Sequence, residues 1–73
     1  MESTPEEIEK VKKDLPSIEV LVDGRFIWGR PRHSKKYPHV AKVLIDLNGE
    51  NEVLEFTWSA IARAAYHNEV LYA

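Results

Sequence analysis

The chain has no cysteine and only one methionine and three glycines in 73 residues. The missing cysteine excludes disulfides and thiolate zinc sites, and it fits a reducing, cytoplasmic setting. No apolar run approaches the roughly eighteen residues that a membrane-spanning helix requires. The opening residues, MESTPEEIEK, are acidic and lack the hydrophobic stretch of a secretory signal. There is no internal repeat and no low-complexity tract. Gly24, Gly29 and Gly49 are too far apart to form a phosphate-cradling loop, and each has a turn or strand-bend explanation. The most informative absence is one of charge: from Gly24 to Ile45 there is no acidic side chain at all.

That stretch holds six cations, Arg25, Arg30, Arg32, Lys35, Lys36 and Lys42, interleaved with Phe26, Trp28 and Tyr37. Residues 1–23 carry three basic and seven acidic side chains, and residues 46–73 carry one basic and five acidic. A segment of +6 therefore lies between two segments of −4, within a chain of net charge −2. Charge sorted in this way creates local fields that steer partners and that the net charge conceals.

A chain of this length is one domain, and at this size folding buries only about 60% of the unfolded surface, so the core is thin. Its 44% hydrophobic and 10% aromatic content belongs to a folded chain rather than a disordered one. The run from Met1 to Ala73 reads as complete. Residues 1–16 read as an acidic N-terminal helix or tail, mobile if undocked, and residues 17–73 as a single α+β domain.

In the first element Thr4 is placed to cap a helix, Pro5 suits its first position, and Glu7 completes a capping box. Ile8, Val11 and Leu15 give it a narrow apolar stripe, and Pro16 ends it. At about ten residues it is marginal alone and must dock or fray. Residues 17–22 and 25–29 read as strands joined by the two-residue turn Asp23-Gly24. That turn pairs Val22 with Arg25 and Val20 with Ile27, with Ile18, Val20, Val22 and Ile27 on one face and Glu19, Leu21, Phe26 and Trp28 on the other. Residues 31–38 read as a loop, because Pro31 and Pro38 resist a central strand. Residues 40–47 and 52–58 form a second hairpin around Asn48-Gly49. Its register pairs Val43 with Leu54, Ala41 with Phe56 and Lys42 with Glu55, the last as a cross-strand ion pair. A helix over about 59–67, capped by Thr57 or Ser59, packs Ile61, Ala62 and Ala65 on the sheet. Residues 70–72 continue as a short extended piece or a packed tail.

The expected fold is therefore α+β: a small antiparallel sheet of three to four strands, a C-terminal helix on one face and a short N-terminal helix. One helix covers one face only. Either the N-terminal helix hides Leu44, Val53 and their neighbours on the other face, or a partner does.

No catalytic constellation is present. His33 and His39 flank a loop with no acid between them, and His67 lies elsewhere, so no metal set is spelled. They read as two solvated loop histidines and one helix-end histidine. Ser34 beside His33 lacks the third, orienting group of an activated nucleophile. The sequence points to a non-enzymatic protein with no cofactor and no metal.

The basic–aromatic segment is left as the site: Arg25, Trp28, Arg30, Arg32, Lys35, Lys36 and Tyr37. Cations without counter-charges repel one another across a strand and loop, which favours a functional role for them. Phe26 and Trp28, taken alone, are expected in the core. Two ligand classes fit the segment. Arginine, tryptophan and tyrosine anchor protein partners, and the same residue types neutralise phosphates and stack on bases. A DNA- or RNA-binding regulator using residues 25–42 is thus the alternative, and the order of elements, though not the motif residues, is loosely similar to plant AP2-type domains. The sequence pI of 5.9, against values above about nine for a basic nucleic-acid footprint, favours a protein partner. The acidic first helix could also occupy the basic segment and mask it.

A small, cysteine-free, charge-segregated chain of this length resembles the small regulators of lytic bacteriophages that bind host RNA polymerase, of the Xanthomonas phage transcription inhibitor and antiterminator type. The resemblance lies in the size and style of the whole chain and carries over no individual residue. It implies a monomeric inhibitor acting in the host cytoplasm by docking on a polymerase subunit. A structural accessory subunit of a larger assembly is a third possibility.

Overall fold

Helix α1 (Pro5–Asp14) begins as its capping box dictates. The Thr4 side chain accepts the Glu7 N–H, and the Glu7 carboxylate accepts the Thr4 N–H at 2.9 Å. Leu15 ends the helix in the left-handed region at φ 48°, with its N–H returned to the Val11 carbonyl, and Pro16 prevents continuation. The computed structural model describes residues 3–73 of the chain.

Two hairpins follow, β1 (Ile18–Val22) with β2 (Arg25–His33) and β3 (Val40–Leu47) with β4 (Glu50–Thr57). Both turns place two successive residues at positive φ: Asp23 and Gly24, then Asn48 and Gly49. That geometry matches the twist of the flanking strands, which is why Asp-Gly and Asn-Gly fix the register. Val22 pairs with Arg25 and Val20 with Ile27; Ala41 pairs with Phe56 and Val43 with Leu54, as expected. Lys42 lies opposite Glu55, but the two do not close an ion pair. Among the described residues the ion pairs are Lys12–Glu9, Arg63–Glu69 and His67–Glu7 when His67 is protonated.

The structure corrects the expected sheet in three places. First, β2 does not stop at Gly29: it runs through Pro31 to His33, and Pro31 pairs with Val43 as a buried residue. Proline is tolerated there because β1 begins only at Ile18, opposite Gly29, so beyond Gly29 β2 has a neighbour on one side only. Second, the sheet has five strands in the order β4-β3-β2-β1-β5 and is mixed, since β5 (Leu71–Tyr72) pairs with β1 in parallel. Third, β4 ends at Thr57, and α2 (Trp58–Tyr66) starts one residue earlier than expected because Thr57 is the cap, accepting the Ala60 N–H.

The sheet curls as β2 passes from one neighbour to the other. Its residues 25–29 pair with β1 and residues 30–33 with β3. The hand-over requires close approach at Gly29: a Cβ there would lie 2.5 Å from Val43 Cγ1 and 3.1 Å from Ile45 Cγ2.

One face of the sheet carries Ile18, Val20, Ala41, Val43 and Ile45, and α2 buries Trp58, Ile61 and Ala62 against it. Helix α1 packs on α2 and adds Val11 to the same cluster. Both helices therefore lie on one side. The shortest extent of the molecule, 16 Å, has room for one sheet and one helical layer. Helix α1 neither covers the opposite face nor masks the basic segment. His33 is exposed, as expected, but it ends β2 rather than lying in a loop, and it donates from Nε2 to the Lys12 carbonyl at 2.8 Å, with its ring centroid 4.9 Å from that of Trp58.

Two outcomes follow from this packing. Gly29→Ala should lower unfolding free energy by about 1–3 kcal/mol, the cost of overpacking against the branched side chain of Val43, as read by chemical denaturation. The Glu7 carboxyl is held below the usual carboxylate range, first by the Thr4 backbone N–H and then by His67. Stability from this group is present above the unfolded-state pKa, about 4.3 for glutamate, and is lost as pH falls through the lower folded value. Glu7→Gln should remove that part of the acid sensitivity in melting curves recorded between neutral and acidic pH.

Candidate functional site

Strand residues alternate between faces, so the register that buries Val20 and Ile27 sends their neighbours outward. The outer face of the curled sheet is thereby fixed by pairing. Trp28 stands opposite Glu19, Phe26 opposite Leu21, and Leu21 is also opposite Tyr72 of β5. Phe26 is 59% exposed, Trp28 65% and Tyr72 72%. The expectation of Phe26 and Trp28 in the core is thus overturned. The reason is that both helices cover the other face and Trp58, 2% exposed, fills that core instead.

Further along β2 the same face becomes cationic. Arg30 lies opposite Leu44, and Arg32 lies opposite Lys42. Beyond them, across β3, are Val53 and Glu55. Like charges directly opposed across strands are destabilising, and Arg30, Arg32 and Lys42 have no ion-pair partner among the described residues. The fold thus holds an aromatic half and a cationic half on one uncovered face.

The structure divides the remaining expected site residues. Arg25 does not join the face: it pairs with Val22 on the opposite side and donates to the Asn48 side chain at 3.2 Å, tying the two turns together. Lys35, Lys36 and Tyr37 lie in the connection from β2 to β3. Ser34, buried, accepts the Tyr37 N–H and pins that loop, and the Lys36 ammonium lies 5.5 Å from the Tyr37 ring centroid. Tyr37 borders a hollow of about 430 Å³ with Val40 and Glu55, which places it at the β3–β4 end of the outer face. Trp28, Arg30 and Arg32 therefore share the face, Tyr37 adjoins it, Lys35 and Lys36 project from its loop, and Arg25 belongs elsewhere.

Tyr72 was not identifiable as a member from sequence. Its only signal is the short apolar run of residues 70–72, and its position depends on a parallel pairing with a strand about fifty residues earlier. Among the described residues, no three histidine or acidic side chains gather as a metal set. Among the described residues, no helix is long and apolar enough to cross a membrane. What the face offers chemically is recognition: flat aromatic area beside fixed positive charge.

Compared with models of protein families, with curated proteins and with solved structures, the chain matches none.

The two tryptophans should respond oppositely to truncation. Trp58→Ala should cost about 3–5 kcal/mol, as for other buried aromatics. Trp28→Ala should change stability by no more than about 0.5 kcal/mol. Paired urea titrations check both values.

Proposed function

We propose that this protein is a small non-enzymatic regulator that binds a partner protein through the outer face of its sheet, with Trp28, Arg30 and Arg32 at the centre of the contact. The observation that carries this reading is the opposition of Arg32 and Lys42 beside the exposed Phe26, Trp28 and Tyr72. Stability alone favours neither feature: like charges repel across the ladder, and large aromatics gain nothing from water. Both become favourable when an acidic and apolar partner surface covers them.

Two acidic side chains on the same face favour protein over nucleic acid. Glu19 lies opposite Trp28, and Glu55 lies opposite Lys42. A groove that tracks phosphates is hampered by carboxylates at its aromatic and cationic centres, whereas a protein surface of mixed charge accommodates them. The resemblance to phage-encoded transcription regulators supplies the candidate partner, a subunit of bacterial RNA polymerase. On this reading the protein is a stoichiometric inhibitor or antiterminator in the bacterial cytoplasm. It acts by occupying a polymerase surface and carries no cofactor.

Affinity capture from nuclease-treated bacterial lysate tests the proposal. The expected outcome is a stoichiometric, nuclease-resistant complex that is lost with the double substitution Arg30→Glu, Arg32→Glu while the fold is retained. Trp28→Ala should weaken the same complex by about 2 kcal/mol or more, the loss typical of a central aromatic anchor. Loss of every protein partner on nuclease treatment, with nucleic acid recovered from untreated lysate and affinity falling steeply with salt, would replace the protein partner with a nucleic-acid ligand.

A further inference from the structure

We infer that the outer face is self-complementary along β2, and that in the free protein it is covered by a second copy of this chain, packed face to face with the two β2 strands antiparallel. That such a dimer masks the site rests on the reading of this face as a partner-binding surface. The self-association itself does not.

The outward positions of β2 are Phe26, Trp28, Arg30 and Arg32, and all four are exposed. Two aromatic side chains are thus followed by two guanidinium groups on one face, at steps of about 6.6 Å. Gly29 stands at the midpoint of the row. A second copy turned antiparallel about that midpoint places its Arg32 over Phe26 and its Arg30 over Trp28. A two-fold interface repeats each contact, so the row forms four contacts, each between a cation and a ring. Guanidinium groups are attracted to aromatic faces. The parallel arrangement would instead set arginine on arginine, so the order of residues selects the antiparallel one. Facing sheets lie about 10 Å apart with strands within about 30° of each other. That keeps the register over four positions, and the long side chains span the gap.

These groups are uncommitted within the chain. Among the described residues, the cation–ring contacts belong to Lys10 and Lys36, and the aromatic pairs are His33–Trp58 and Tyr37–His39. Arg30 and Arg32 have no ion-pair partner. The neighbouring strands add to the same contact, because the antiparallel arrangement sets β1 over β1 and β3 over β3. Glu19, opposite Trp28, comes beside Arg30 of the second copy. Leu44, opposite Arg30, comes beside Trp28 of the second copy. Lys42, opposite Arg32, lies at the cationic end of its own copy, and the two cationic ends point apart.

A contact built mainly on one strand of each copy falls at the small end of specific interfaces, so the dimer exchanges readily. Carboxylates bind guanidinium groups through charge-assisted hydrogen bonds, and an acidic partner surface therefore displaces the second copy. The monomer that the resemblance implies is then the partner-bound form.

Sedimentation equilibrium of the purified whole chain, from micromolar to millimolar concentration, tests the inference. The mass should rise with concentration from 8.4 kDa towards twice that value. Phe26→Arg alone, or Arg32→Phe alone, should weaken the dimer about tenfold, because symmetry removes two cation–ring pairs with each substitution. The two substitutions together exchange ring and cation and should restore the association. If either variant loses its native spectrum, Arg30→Glu should likewise dissociate the dimer, by removing the contact with Trp28 and facing Glu19. A chain monomeric at every concentration, a dimer indifferent to these substitutions, or no restoration in the exchanged variant would each overturn the inference. Capture of a one-to-one partner complex by a chain that never self-associates removes the dimer alone. Self-association without any captured protein removes the regulator reading and leaves the dimer standing. A captured complex with two copies per partner would overturn the masking.

Discussion

The burial of Val11 on the helical side of the sheet is the contact on which the rest of the molecule depends. Helix α1 is short and highly charged, and its apolar stripe has a single fully buried member. By placing that residue with Trp58 and Ile61, and by receiving the His33 side chain at the Lys12 carbonyl, the helix commits to one side. Every consequence for function follows from that choice. A helix of ten residues docked on the other side would have covered part of the aromatic ladder and brought its glutamates against Arg30 and Arg32. Docked where it is, it leaves the outer face open and keeps its acidic groups away from it.

The same packing explains why a chain with few apolar residues to spare leaves some of its largest ones in water. Trp58 occupies the core at the first turn of α2, where the Thr57 cap sets its direction. Trp28 is the fourth residue beyond the Asp23-Gly24 turn, on the parity that points away from the helices. Moving Trp28 inward would require a one-residue slip of the hairpin, which would expose Val20 and Ile27 in exchange. The exposed aromatics are therefore held in place by the buried ones. Beside them, Arg32 and Lys42 are opposed by the β2–β3 register, which is itself set by the close approach at Gly29. The recognition surface is a by-product of core constraints in its geometry, and only its residue types are free to serve binding.

Charge then divides the surface into regions that attract different partners. The cationic strip of Arg30, Arg32 and Lys42 lies on β2 and β3, while the acidic side chains of α1 lie on the helical side of the sheet. A net charge of −2 hides this arrangement completely.

Local chemistry by itself determined the capped first helix, the two turns, the register of both hairpins and the clustering of charge. Each of these depends on residues a few positions apart, where backbone sterics and side-chain alternation act directly. Tertiary structure alone decided the path of β2 through Pro31, the parallel pairing of β5, the exposure of Phe26 and Trp28 and the removal of Arg25 from the site. Pro31 is acceptable only because β1 does not reach past the position opposite Gly29. Tyr72 joins the outer face only because its strand finds β1 across most of the chain. Alternation told which residues share a face with Trp28, but not which face the helices would cover. That depended on where Val11 and Trp58 could be buried together, a long-range packing choice that no local pattern encodes.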